Sequence, residues 1–315
     1  MARIGVIVRL MENALLTVVS LSAIIVLGFV MARMFTLPTG FTDIISKIVF
    51  NITVPCAIFY AFAQAEFDPS LLMLVPLGFV CCFIPWFVAT IVSWREEYER
   101  RVLLMTNISG YNIGNFVLPF AQAFFPSSTI VALCLFDAGN SIMINGGIYP
   151  FSSVILEKGK SYNERMKLAL KRLFKSVPFD LYVVLVILAA AGVTIPYQLV
   201  ILVEPFAHAN AFLAMFLIGL MVNFSIDLNK LGQLVRLVGL RLILSTILSA
   251  TVFFLLPFDL TMRIVIASLL WAPSAGLGPV FTMWLKGDVG LAGFSNVVTV
   301  VVGVIAMTVL AVIIT

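Results

Sequence analysis

Residues 107–120 read NISGYNIGNFVLPF, and residues 271–281 read WAPSAGLGPVF. Both stretches lie inside long apolar runs, yet each combines glycine and proline with small polar residues. Proline removes a backbone donor and disfavours helix just before it, while glycine tolerates an unwound backbone. We therefore expect a helix to break in each stretch. A break that faced lipid would leave backbone groups unpaired in hydrocarbon, so both breaks should lie inside the protein, beside a cavity.

The composition around these stretches is that of an integral membrane protein. Of the 315 residues, 62% are hydrophobic and 11% are charged, whereas a soluble domain is nearer half apolar and a quarter charged. The excess is too large for a core that still needs a polar surface. It excludes a soluble enzyme, a secreted disulfide scaffold and a disordered chain. The expected partner is a lipid bilayer, and no nucleic acid is expected.

Ten apolar segments follow one another along the chain, each close to the length of a membrane helix. None alternates with period two, as the strands of a barrel would. We therefore predict an all-α membrane protein with ten transmembrane helices. The predicted spans are 14–34, 42–64, 70–93, 102–125, 129–156, 179–197, 200–224, 233–256, 259–284 and 289–314.

The placement of lysine and arginine predicts the orientation of these spans. Basic residues concentrate at 95–101, 158–175, 230–236 and Lys286, which are all loops after odd-numbered spans. Because loops rich in lysine and arginine stay in the cytoplasm, we expect a multi-pass protein of the cell (inner) membrane with both termini outside. The central loop 157–177 is either a plain linker or a short basic helix lying on the inner membrane surface.

The central loop divides the chain into two halves of five spans, 1–156 and 178–315. Residues 54–72 align with 213–231 in their apolar positions. An odd number of spans makes the second half enter the membrane from the opposite side. We therefore predict a 5+5 inverted repeat in which broken helices 4 and 9 cross, a common device of secondary transporters. Corresponding breaks in the two halves indicate a binding site at the membrane midplane.

The breaks predict an anionic ligand, because helix N-termini present free N–H groups and a partial positive charge. Asn112 and Asn115 can donate hydrogen bonds to a carboxylate without adding a permanent charge, and Ser274 can do the same. The predicted substrate-binding residues are Asn112, Asn115, Pro119, Ser274, Gly276 and Asn296.

Asp137 is the leading ionisable residue within the predicted spans, and Asn296 falls opposite it in the repeat. An acid inside a membrane usually faces the interior and marks a path or relay. We predict that Asp137 carries a coupling proton, with Asn140 and Asn145 on a similar helical face; the alternative is an acid that only bonds its neighbours. Sodium is the weaker option, and no metal site or other cofactor is expected. Arg241 is expected to snorkel to the inner surface.

The chain resembles the auxin efflux carrier family over nearly its full length, in the compact bacterial form of the malate permeases. Span 2 carries KIVFNITVPCAIF, and span 4 carries Asn112 with Pro119 seven positions later. Pro273 matches the second break, and the tail WLKGDVGLAGFSNVV resembles the turn into the last span. Val117 stands where the family usually has glycine.

The resemblance implies a ten-span fold like that of bile-acid sodium symporters, with Asn112 contacting a substrate carboxylate. We expect a secondary active transporter of a malate-like dicarboxylate or an auxin-like monocarboxylate, working by alternating access. Spans 4, 5, 9 and 10 would move as one body, and a homodimer is compatible with this. A sodium-coupled symporter of the bile-acid type stays open, as does a channel or membrane sensor. An enzyme is not expected, because the sequence has no HExxH motif and no pair of deep acids.

Overall fold

A computed structural model of the chain describes residues 2–64, 68–156, 163, 167, 177–221 and 230–314. Within these ranges every regular element is a helix, and no strand occurs. The prediction of an all-α membrane-type chain is therefore confirmed at this level. Most of the predicted linker 157–177 lies outside the described residues.

The helices of the described residues are numbered in chain order. They are α1 (Ala2–Met34), α2 (Phe41–Gln64), α3 (Pro69–Val92), α4 (Tyr98–Asn107), α5 (Leu118–Phe124), α6 (Ser127–Leu156), α7 (Val177–Ala190), α8 (Tyr197–Met221), α9 (Leu231–Leu255), α10 (Leu260–Leu269), α11 (Gly278–Trp284) and α12 (Val289–Ile314). Single π turns occur within α2 at Val49–Thr53, before α5 at Ile113–Val117, and within α6 at Ile144–Ile148.

Six helices of the described part, α2, α3, α6, α8, α9 and α12, are long and apolar enough to cross a membrane. Shorter apolar helices are Val19–Met34, α7 and α10. Predicted spans 4 and 9 are each divided, into α4 with α5 and into α10 with α11. The membrane character of the chain is thus supported directly, while ten spans and their orientation stay predictions.

The conformation of Gly110 explains the position of the first break. Gly110 has a φ of 83°, a left-handed conformation that other residues rarely adopt. A Cβ on Gly110 would also lie 2.9 Å from the Cβ of Ala275, so the close packing of these two residues also requires glycine. Pro119 and Pro279 are the second residues of α5 and α11, within the first turn, where proline is tolerated.

Glycines also set how closely two pairs of helices pack. A Cβ on Gly139 of α6 would collide with the carbonyl oxygen of Val75 in α3, and one on Gly78 would collide with that of Phe136. Small residues at such contacts let helix backbones approach in a membrane. The same arrangement recurs between α1 and α8, where Gly219 packs against the carbonyl of Ile25. Helices α3 and α6 therefore form one tight pair, and α1 and α8 form another.

Three loops that follow odd-numbered predicted spans meet on one side of the molecule. Arg236 donates to Glu96 at 2.6 Å, and Lys230 pairs with Asp288. The hydrogen bond from Arg236 holds the pKa of the Glu96 carboxyl below its usual range. These contacts join the loop after α3, the start of α9 and the turn before α12. They agree with the placement of these loops on a single face.

Gly139→Ala is expected to destabilise the protein by about 1–3 kcal/mol, because the methyl group must push α3 away from α6. Gly239→Ala in α9 is the matched control, since nothing lies within 4 Å of its added Cβ. The control should be neutral or slightly more stable. The midpoint of thermal unfolding in detergent measures both, and equal midpoints for the two variants would show that the α3–α6 contact is not this close.

Candidate functional site

The two broken helices meet at their breaks. Residues 108–112 separate α4 from the π turn before α5, and residues 270–277 separate α10 from α11. Tyr111 and Ser274 form an antiparallel bridge, and the amide of Asn112 donates to the carbonyl of Pro273 at 2.9 Å. We call these two segments together the crossing. Each segment satisfies part of the backbone that the other leaves unpaired.

Each segment of the crossing is also held by a side chain from the second helix after it. Asn140 of α6 accepts from the Tyr111 amide at 3.1 Å and donates to the Tyr111 carbonyl at 2.8 Å. Thr299 of α12 accepts a hydrogen bond from the Ser274 amide at 3.0 Å. In each case a side chain replaces backbone partners that the unwound segment lacks.

Arg241 of α9 joins the two segments. Its guanidinium donates to the carbonyls of Ile108 at 2.5 Å and Gly110 at 2.9 Å in the first segment. It also donates to the carbonyl of Ala272 at 3.0 Å in the second segment. These carbonyls follow helix ends, where oxygens lack a helical partner. A planar guanidinium with five N–H groups can serve several of them at once.

The expectation that Arg241 snorkels to the inner surface is wrong. The side chain is 4% exposed and its guanidinium lies 5.1 Å from the ring centroid of Tyr111. The Arg241 guanidinium lies inside the protein because carbonyls at the crossing that lack helical partners accept its hydrogen bonds. The sequence could have predicted this buried position, because an arginine well inside an apolar helix usually faces the protein interior.

Asp137 lies beside the first segment and both of its carboxylate oxygens are bonded. Oδ1 accepts from the side-chain amide of Asn140, and Oδ2 accepts from the hydroxyl of Tyr182, both at 2.9 Å. The side chain is 7% exposed. Tyr182 of α7 was not anticipated from the sequence, since a tyrosine in an apolar helix carries no distinctive pattern. The carboxylate therefore connects α6 to α7 directly, and to the crossing through Asn140.

Three of the predicted substrate-binding residues retain accessible surface at or beside the crossing. Asn112 is half-buried, and its side-chain amide has no hydrogen-bond partner among the described residues. Asn296 is half-buried, with its amide 3.5 Å from the carbonyl of Ala275. Gly276 is exposed, with no atom within 4 Å of the position of a Cβ. Polar groups with accessible surface here are suited to contact a ligand.

Other predicted site residues have different surroundings. Ser274 is buried and its hydroxyl lies 3.0 Å from that of Thr299, so both its polar groups are used within the protein. Asn145 donates to the Ser141 carbonyl of its own helix at 3.0 Å and does not join the Asp137 cluster. Pro119 begins α5. The side chain of Asn115 lies outside the described residues.

In the described ranges, no group of three His, Cys, Asp or Glu side chains could hold a metal ion. The chain matches no family model and no curated protein. The resemblance to auxin efflux carriers therefore stays a prediction.

Asn140→Leu is expected to destabilise the protein by about 1–3 kcal/mol, because it leaves the Tyr111 amide buried without its partner and removes one of the two donors to the Tyr111 carbonyl. Asn145→Leu is the matched control, since its bond stays within one helix turn, and it should change stability by about 0.5 kcal/mol or less. Thermal unfolding in detergent compares the two. A smaller loss for the Asn140 variant than for the Asn145 variant would contradict the anchoring role of Asn140.

Proposed function

We propose that the chain is a secondary active transporter of a small organic anion, built as ten spans in a 5+5 inverted repeat. The observation that carries this proposal is the crossing of two interrupted helices, with polar groups beside it that retain accessible surface. Non-helical backbone at membrane depth is tolerated only inside protein or beside a water-filled cavity. Paired interruptions in two halves are typical of transporters with a midplane site.

The two interrupted helices are alike in detail, which supports the repeat. Helices α4 and α10 each have ten residues, and α5 and α11 each have seven. The fourth residue of α4 is Arg101, 5.6 Å from the ring centroid of Trp94, and the fourth residue of α10 is Arg263, 5.5 Å from that of Phe253. Such agreement is unexpected for unrelated kinked helices.

The side chains that hold the two broken segments support the register read from the sequence. Asn140 and Thr299 are 159 residues apart, and each bonds the backbone of the broken segment in its own half. The same offset places Asp137 opposite Asn296, so the acid is a feature of the first half alone.

An anion fits the crossing better than a cation. The buried guanidinium of Arg241 provides a fixed positive charge. The π turn that leads into α5 and the helix α11 both follow the crossing directly, with their partial positive ends toward it. Asn112 can donate two hydrogen bonds to a carboxylate, and Asn296 can add another. Ser274 is assigned a supporting role. The proposed ligand is a small organic anion of malate-like or auxin-like chemistry.

Alternating access requires that the crossing moves relative to the rest of the protein. We assign α3 to the moving body, because its glycine contact with α6 leaves no room for sliding. This enlarges the body expected from the sequence, which comprised spans 4, 5, 9 and 10. The tight pair of α1 and α8, with α2 bonded to α8 through Thr53 and Asn210 at 3.0 Å, forms the opposing body. Helix α7 packs against α2 and is assigned to the same opposing body. The hydrogen bond from Tyr182 to Asp137 then links the two bodies.

The proposal is tested by uptake into proteoliposomes without sodium, under an imposed pH gradient. Labelled L-malate and labelled indole-3-acetate are supplied separately, and protein-free vesicles correct for passive permeation. Saturable uptake of one of them that collapses with the gradient is expected. Uptake of neither by a preparation of monodisperse, cooperatively unfolding protein would contradict an organic-anion carrier. Uptake only with sodium would instead favour the bile-acid type of symporter.

Asn112→Ala is expected to weaken the apparent affinity for the transported anion by about tenfold to a hundredfold, the effect of losing a hydrogen bond to a charged group. The concentration dependence of uptake measures it. Asn51→Ala in α2 is the control, since its amide donates to the Lys47 carbonyl of its own helix at 2.8 Å. An unchanged affinity in the Asn112 variant would remove this residue from the binding site.

A further inference from the structure

Two charged side chains are buried among the described residues, and they have opposite signs. They are Asp137 of α6 and Arg241 of α9. No carboxylate of the described part lies within 4.0 Å of the Arg241 guanidinium, so the two do not form a direct ion pair. An isolated charge inside a protein is strongly unfavourable. Hydrogen bonds stabilise each charge locally, from Asn140 and Tyr182 to Asp137 and from Arg241 to three backbone carbonyls.

The first segment of the crossing lies between the two charges. On one side, Asn140 bonds both the Asp137 carboxylate and the backbone of Tyr111. On the other side, Arg241 bonds the carbonyl of Gly110 and lies over the Tyr111 ring. Asn112, whose amide has no described partner, is the next residue along this segment. A ligand at Asn112 would sit within the field of both charges, which is weakly screened in a protein interior.

We propose that the protein binds a monoanion and a proton together, with Asp137 as the proton site and Arg241 as the fixed charge that the anion balances. With Asp137 ionised, its charge offsets that of Arg241 and an arriving anion is repelled. When a proton from the adjacent solution binds the carboxylate, Arg241 is left uncompensated and a single negative charge at Asn112 restores neutrality. This rests on the proposed function and specifies its coupling and the charge of its substrate.

Arg241 acts here as a positioning residue, because its N–H groups already bond three backbone carbonyls. It fixes the crossing and supplies charge without touching the anion. A dianion would leave an excess negative charge at the crossing. A substrate with one ionised carboxylate is therefore preferred over a dicarboxylate with two.

Other titratable groups near Asp137 do not offer a competing buried charge. Tyr182, Cys134 and Cys82 interact with it electrostatically, and they are neutral acids. The elements packed against α6 also carry charged groups, none of which is buried. They are Asp43 and Lys47 in α2, Asp68 before α3, Asp180 in α7 and Arg263 in α10.

Calorimetric titration of indole-3-acetate, a monocarboxylate, into the full-length protein in detergent tests the proposal. Buffers of different ionisation enthalpy reveal how many protons are taken up with the anion. The wild-type protein should take up about one proton per anion bound, with affinity falling about tenfold per pH unit once Asp137 ionises. L-malate should bind more weakly than indole-3-acetate at neutral pH. This measurement needs no variant, so it does not depend on mutant folding.

Two variants separate the roles of the charges. Asp137→Asn should bind indole-3-acetate without proton uptake and with an affinity that does not change between pH 6 and pH 8. Asp180→Asn, an acid two positions from Tyr182, is the control and should keep the wild-type proton uptake. Arg241→Lys, which keeps the charge, should retain proton uptake with weakened binding, whereas Arg241→Met should abolish binding.

The outcomes distinguish this inference from the function on which it rests. Anion binding by the wild type without proton uptake overturns the inference and leaves anion transport standing. Proton uptake that persists in Asp137→Asn overturns the assignment of Asp137. Tighter binding of L-malate than of indole-3-acetate overturns the single-charge preference. Binding of neither anion to folded protein overturns the inference and the proposed function together.

Discussion

The bonds from Arg241 to the carbonyls of Ile108, Gly110 and Ala272 are the constraint on which the rest of the structure depends. Two helices that unwind inside an apolar protein expose carbonyls that water cannot reach, and unsatisfied groups of this kind are strongly unfavourable. One guanidinium satisfies carbonyls from both helices and so fixes one break against the other. The antiparallel bridge between Tyr111 and Ser274 forms beside it.

The arrangement connects folding to the proposed transport. The Arg241 charge that stabilises the crossing would also provide the positive potential for the proposed anion. The side-chain amide of Asn140 and the hydroxyl of Thr299 hold the two segments and leave Asn112 and Asn296 accessible. In the proposed transport, the pair α3 with α6 and the pair α1 with α8, each joined by close glycine contacts, belong to the two bodies that move against each other.

Much of the architecture was predictable because lipid restricts the available structures. Apolar length identifies helices, and the density of glycine and proline at 107–120 and 271–281 locates the breaks. The partner of each polar side chain was not predictable, because it depends on which helices pack together. Ser274 was expected to face a ligand and instead bonds Thr299, while Arg241 was expected at the surface and lies at the centre. The π turn at Ile144–Ile148 lies in α6 after Asp137 and before the last residues, 149–156. Simple helical periodicity does not predict such a turn.

The contact between the two breaks can be tested by cross-linking Tyr111→Cys to Ser274→Cys, in a chain whose four native cysteines are replaced. Residues opposite each other on an antiparallel bridge lie about 4.5–5.5 Å apart, within the range of a disulfide. A protease site inserted between residues 157 and 177 would separate the two halves. We predict that mild oxidation keeps the cleaved halves together on a non-reducing gel, whereas Tyr111→Cys with Val301→Cys, an exposed position on α12, does not. Separation of the halves in the oxidised Tyr111–Ser274 pair, in folded protein, would contradict the crossing.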